Sequence, residues 1–158
     1  MAKRIALVLL IGLLAGCAGD DGGAPKPPAA ANALEQPDTF FKRLLGYELA
    51  GRFGKSWDML HPAHQALVTR AKYASCSKDD FGAATLAAVE TVEVYDQPIN
   101  VRDVPEKTSK AVTLKLTLAT GGQREATTHT FHAVRVSDRW AWYFGDTVIE
   151  AYERGSCP

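Results

Sequence analysis

The sequence predicts an α+β domain in which a helical first half packs on an antiparallel sheet. Three observations carry this expectation. Apolar side chains early in the chain recur at helical spacing, as at Phe41, Leu44, Leu45 and Leu49. Later they alternate with polar ones, most regularly at Val112, Leu114, Leu116 and Leu118 against Thr113, Lys115 and Thr117. The helices come first and the strands afterwards, without the strand–helix alternation of a parallel sheet.

Taken in order, Pro37-Asp38-Thr39 gives an N-terminal signal for the first helix, and Gly51 to Gly54 stops it. Ser56 is expected to cap a second short helix holding Trp57 and Leu60. His61-Pro62 begins a third, since proline suits a first turn where no amide hydrogen bond is lost; Ala66, Leu67 and Ala71 continue it. Tyr73 to Cys76 and Asp80 to Ala87 read as short helical or irregular pieces. Val89–Tyr95 and Ile99–Val104 are short strand candidates, with Pro98 as a break or edge position. After the alternating strand, Thr120-Gly121-Gly122 turns the chain, and Arg124 to Val136 forms a long strand. Ser137-Asp138-Arg139 turns again, and Trp140 to Ile149 is expected to return as a strand. A three-residue loop at that turn sets Val136 opposite Trp140, Val134 opposite Trp142 and His132 opposite Phe144, which gathers the large apolar groups on one face. A two-residue loop that sets Val134 opposite Tyr143 splits the tryptophans from the valines. The helix face and sheet face then pack as two layers, and a twisted sheet wrapped around helices leaves a conical cavity.

Composition suits one globular domain. The chain has 158 residues, 46% of them hydrophobic and 23% charged, with 18 basic and 18 acidic side chains. A disordered chain is poorer in apolar residues. A zero formal net charge argues against nucleic-acid binding driven by counterion release.

The first residues carry a short basic region at Lys3 and Arg4 and an apolar run from Ile5 to Leu14. That run is too short to span about 30 Å of hydrocarbon but suits the apolar part of a signal peptide. It ends in Leu14-Ala15-Gly16-Cys17, which resembles a bacterial lipobox. The resemblance implies cleavage before Cys17 and diacylglycerol on its thiol, hence extracytoplasmic attachment to the cell membrane. Residues 1–16 are then signal peptide, 17–36 a lipidated cysteine and a tether rich in Gly, Ala, Pro and Asp, and 37–158 the domain. Two or more acyl chains on one residue hold a membrane stably where one holds it marginally. Assigning Cys17 to lipid leaves Cys76 and Cys157 in an oxidising compartment, where they are expected to pair.

The stretch Gly51-Arg-Phe-Gly-Lys-Ser-Trp57-Asp-Met-Leu60-His-Pro62-Ala-His-Gln65, with Tyr73-Ala-Ser-Cys76 after it, resembles small actinobacterial lipoproteins with a nuclear-transport-factor-2-like (NTF2-like) fold. Asp138-Arg-Trp140-Ala-Trp142 resembles the last hairpin of that superfamily, which includes the ketosteroid isomerases, and Gly155-Ser-Cys157-Pro158 resembles the lipoproteins' tail. The resemblance implies a cone of N-terminal helices packed on a curved antiparallel sheet. Its members include isomerases, dehydratases, binding domains and accessory domains of cell-wall enzymes, so the fold does not select the function.

Few residues point to chemistry. In the three-residue register His132 faces the cavity, and Asp146, of the same parity as Trp140, lies diagonally from it, forming a candidate acid–base pair. Tyr47 on the first helix is a candidate donor to an enolate-like oxygen. The plainer reading is that His132 and Asp146 satisfy one another or surface groups. His129, of opposite parity, is expected to face away. His61 and His64 lack a third ligand nearby, and His61 reads more simply as a cap, so no metal is expected. Trp57, Trp140, Trp142 and Phe144 read as core residues able to line a pocket as well. No phosphate-cradling glycine loop or nucleophile elbow appears, and no cofactor is implied. The expected function is a membrane-anchored envelope lipoprotein whose domain binds a small apolar ligand or a partner protein without catalysis. Two rivals are an isomerase or lyase of ketosteroid-isomerase type using His132 and Asp146, and an accessory domain contacting cell-wall enzymes.

Overall fold

A computed structural model describes residues 35–79 and 85–158, all within one compact unit. The signal segment, Cys17, most of the tether and residues 80–84 lie outside the described residues. The described residues form an α+β architecture: five α-helices, a short 3-10 turn and an open four-stranded antiparallel sheet of order β1-β2-β3-β4.

Helix α1 spans Pro37–Leu49, with proline in its first turn and Asp38 at its positive end. Its buried stripe is Phe40, Phe41, Leu44, Leu45 and Glu48; Leu49 is half-buried. Gly51 ends the helix at φ +67, with its own N–H donating to Glu48 O and the Arg52 N–H donating to Tyr47 O at 2.8 Å. These are the two bonds of a Schellman cap, which needs a left-handed residue at this position. Gly51→Ala is therefore expected to cost about 1 kcal/mol in a denaturant melt.

The second helix, α2, is Phe53–Trp57 and begins three residues before Ser56. Ser56 is not its cap: the side chain is fully buried and its hydroxyl donates to Phe53 O at 2.9 Å. Leu60 lies beyond the helix, in a parallel bridge to Trp142. Helix α3 is Pro62–Leu67, and His61 caps it by accepting the Ala63 N–H at Nδ1. Extended Val68 separates it from α4, Arg70–Cys76, which holds Ala71 and is capped by Thr69 Oγ1.

Strand β1 (Thr85–Pro98) pairs with β2 (Thr108–Thr120), and β2 pairs with β3 (Gln123–Val136). The expected strand at Val89–Tyr95 lies within β1. Ile99–Val104 is a loop instead: the Ile99 N–H still donates to Lys107 O at 3.0 Å, and the chain then turns at Arg102-Asp103, with Asp103 at φ 61. Of the piece expected to be helical, Thr85 to Ala87 are strand. The register of β1 shifts between Leu86 and Ala88 and between Thr91 and Glu93, at bulges that interrupt an otherwise long free edge. Val92 at the second bulge is 60% exposed. Gly121 and Gly122, both at positive φ, form the two-residue β2–β3 turn.

The next turn has two residues, not three. Val136 pairs with Arg139, Arg135 with Trp140, Val134 with Ala141 and Ala133 with Trp142. Ser137 adopts φ 56, the positive value such tight hairpins use at their first position. The tryptophans of β4 (Arg139–Trp142) therefore stand across from Arg135 and Ala133, and the valine alignment expected above does not occur. Strand β4 also stops at Trp142. The chain then forms α5, Asp146–Glu153, where a continued strand was expected. Extended Gly145 precedes it, Asp146 lies in its first turn, and Ile149 and Tyr152 bury one face. Gly155 closes α5 with a second Schellman cap, through Ser156 N–H to Ala151 O at 3.0 Å and Gly155 N–H to Tyr152 O at 2.9 Å.

Two clusters make the core. In the first, Phe40, Phe41, Leu44 and Leu45 of α1 pack on Val112, Leu114, Leu116 and Ala133 of the sheet. In the second, Phe53, Leu60, Val68 and Tyr73 pack with Phe144, Ile149 and Tyr152. Trp142 touches both. A disulfide joins Cys76, the last residue of α4, to Cys157 beyond α5, as the sequence led us to expect.

Candidate functional site

Because β4 pairs only with residues 133–136 of β3, the rest of that edge of β3 has no strand beside it among the described residues. The chain after Trp142 leaves the sheet and turns into α5. A cavity of about 470 Å³ opens between this free edge, α1, α4 and α5. That volume is in the range of small-molecule sites. Its walls are largely apolar and aromatic: Phe41, Leu44 and Leu45 from α1, Phe131 from β3, Trp142 and Phe144 from the departing chain, and Val148 and Tyr152 from α5.

Polar groups enter at one side. Glu48 is 8% exposed, and its Oε1 accepts the Tyr73 hydroxyl at 2.5 Å. Burial first, then the neighbouring Glu48 charge, hold the Tyr73 phenol far above its ordinary pKa, so it stays a neutral donor. His132 lines the cavity with Nδ1 3.4 Å from Ser109 Oγ and its ring 6.5 Å from that of Tyr143. Burial lowers its pKa, which favours the neutral imidazole. His132 has opposite parity to Phe131, which packs on Phe41 with ring centroids 5.4 Å apart. Both reach the cavity because it runs along an unpaired strand edge.

The three catalytic candidates are not brought together. His132 is in the cavity. Asp146 is exposed in the first turn of α5, close enough to influence Arg102, and the strand diagonal that would join it to His132 does not exist. Tyr47 lines a separate cleft of about 350 Å³, with Arg52 stacked 4.9 Å above its ring. Charged side chains line much of that second cleft. Arg43 pairs with Glu35 at 2.6 Å, and Arg139 donates to the main-chain carbonyl of Asp58 at 3.2 Å.

The tryptophans are positioned by their indole N–H groups as well as by packing. Trp57 donates to Val68 O, Trp140 to Glu35 O and Trp142 to Ser56 O, at 2.9, 2.7 and 3.0 Å. Trp142 and Phe144 serve both core and cavity, Trp140 lines the second cleft, and Trp57 packs on the second core cluster. His129 is exposed and lies 3.2 Å from Thr127 Oγ1. His61 has Nε2 3.3 Å from Glu106. His64 is a structural clamp: Nδ1 accepts the Phe144 N–H at 2.9 Å, Nε2 donates to Arg102 O at 3.2 Å, and its ring stacks on Phe144.

Glu48 and Tyr73 are the site residues that sequence reasoning missed. The signal was present for Glu48. Phe41, Leu44, Leu45 and Glu48 fall at i, i+3, i+4 and i+7, so the apolar stripe of α1 runs onto an acid.

No protein-family model, curated protein or solved structure matches the chain.

Proposed function

We propose that this chain is a lipid-anchored, extracytoplasmic envelope protein whose domain has an NTF2-like fold and holds a small apolar ligand without transforming it. The observation that carries the reading is the cavity of about 470 Å³ beside the β3 edge, walled among the described residues by aromatic and aliphatic side chains. The α+β order and the antiparallel sheet wrapped on α1 support the fold assignment. The separation of Asp146 and Tyr47 from His132 favours binding over the isomerase reading. Cys17 would supply the membrane anchor.

Two outcomes are expected. Metabolic labelling with a radioactive fatty acid marks the wild-type protein, and Cys17→Ser abolishes the label; an unchanged label contradicts the anchor. Val148 is half-buried on α5 at the cavity wall, so Val148→Trp fills the cavity. The apolar fluorophore N-phenyl-naphthylamine is expected to bind wild type saturably, with affinity reduced at least tenfold in Val148→Trp at similar melting temperature. Equal binding by the two proteins contradicts the site.

A further inference from the structure

We propose that the second cleft, of about 350 Å³, binds a small amphiphilic oxyanion: a sulfonate, carboxylate or phosphate group carried on an aromatic or aliphatic body. The site is separate from the apolar cavity and does not rest on the reading given above. Three observations converge. First, the charges of the cleft do not cancel. Its described lining holds four cations, Arg43, Lys55, Arg135 and Arg139, and three acids, Glu35, Asp58 and Asp138. Glu35 is taken up by Arg43, through contacts at 3.0 and 2.6 Å. Asp58 is taken up by Arg70, at 3.3 Å. Lys55, Arg135 and Arg139 have no carboxylate partner among the described residues, and only the exposed Asp138 stands against them. Arg52, stacked on Tyr47 of the cleft wall, adds a further cation beside it.

Second, two guanidinium groups are held by neutral partners. Arg139 donates through Nη1 to the main-chain carbonyl of Asp58 at 3.2 Å, and Arg135 donates through Nε to that of Ser137 at 3.3 Å. The Arg135 guanidinium also lies 5.9 Å from the centre of the Trp140 ring. A carbonyl or a ring orients a guanidinium without cancelling its charge. Each group has five N–H donors in a planar fork, so donors remain that match the paired oxygens of an oxyanion. Both arginines come from the tight β3–β4 hairpin, whose pairing fixes their backbones in register.

Third, the cleft offers apolar surface beside those charges. Buried Phe40 and Met59 line it together with half-buried Tyr47 and Trp140. An inorganic anion would use the cations alone, whereas an anion on a ring or alkyl body would also cover these faces. A cation of the same shape would meet the excess positive charge unfavourably. Because Lys55, Arg135 and Arg139 are exposed, the attraction is of the kind that salt screens.

The test uses three matched probes on the full chain: the anion naphthalene-2-sulfonate, its neutral analogue naphthalene-2-sulfonamide, and the cation naphthalen-2-ylmethylammonium. Each is titrated by calorimetry, and its position is read from amide and indole shifts. The sulfonate is expected to shift the Trp140 indole and the Lys55 and Arg139 amides, and to bind at low salt about tenfold tighter than the sulfonamide, with the cation weakest. That preference is expected to shrink to about twofold in roughly 0.5 M salt. Joint replacement Arg135→Gln and Arg139→Gln is expected to bring sulfonate and sulfonamide level. Lys55→Gln, at a side chain that makes no hydrogen bond or ion pair among the described residues, is expected to weaken the sulfonate about threefold with an unchanged melting temperature. Equal binding of sulfonate and sulfonamide to wild type overturns the inference. So does a sulfonate that shifts Thr130–His132 of the apolar cavity and leaves Trp140 unmoved, or one that shows no saturable binding.

Discussion

Replacing Cys76 and Cys157 together by serine is expected to lower stability by about 4 kcal/mol, the loss of loop-closure restraint for a bridge of sequence separation 81. For a domain of this size that corresponds to a fall in melting temperature on the order of 15 °C. The location of the bridge adds a local effect. Cys76 lies one turn after Tyr73, and Cys157 follows directly on the cap that ends α5. The bridge thus ties together two elements that bound the cavity, α4 and α5. The double variant is expected to lose stability and ligand affinity together, read by circular dichroism melts and probe titration. A melting temperature within about 3 °C of wild type contradicts a structural role for the bridge.

His64→Ala is expected to cost about 3 kcal/mol or more. The substitution removes the acceptor for the Phe144 N–H, the donor to Arg102 O and a ring stacked at 5.4 Å, all at a site 1% exposed. It also removes a pH dependence. Burial lowers the His64 pKa below its usual 6.5, and the neutral ring is the form that can accept at Nδ1. The unfolded chain therefore binds a proton more readily than the native one as pH falls through about 6.5. The His64 contribution is fully present at higher pH and is progressively lost as pH drops toward the lowered native value. Wild-type stability should decline on acidification from pH 7 to 5, and His64→Ala should be less stable but flatter over that window. His132 is shifted in the same direction, so part of the slope should remain. Urea melts at both pH values check this; an equal slope in wild type and variant contradicts it.

The fold's outline was legible because most of its elements follow local rules. Pro37 and the Phe41–Leu44–Leu45 stripe define α1, the strict alternation through Leu116 defines β2, and Gly121-Gly122 defines a turn whose dihedrals demand glycine. The end of the sheet was harder to read. Ser137-Asp138 makes a two-residue turn with serine at positive φ, a conformation glycine or asparagine would have advertised. The aromatic run Trp140 to Phe144 looks like strand, but pairing with β3 stops at Trp142, opposite Ala133, although β3 itself runs on, and Gly145-Asp146 starts a helix instead. That one change moved Asp146 out of the candidate pair and opened the β3 edge that makes the cavity. Glu48 falls in the spacing of the α1 stripe, but an acid at the end of an apolar stripe is ordinarily solvated. Its burial depends on Tyr73, 25 residues later, and no local pattern encodes that contact.

Mapping where an apolar ligand sits tests the central claim most directly. Backbone amide shifts of the full chain, recorded while N-phenyl-naphthylamine is added, are predicted to change at Thr130–His132, Tyr143–Gly145 and the Trp142 indole, along the open edge of β3 and the start of α5. Shifts centred on Lys55, Arg139 and Trp140 in the second cleft, or on the exposed Val92–Tyr95 edge, would contradict the assignment of the cavity as the binding site.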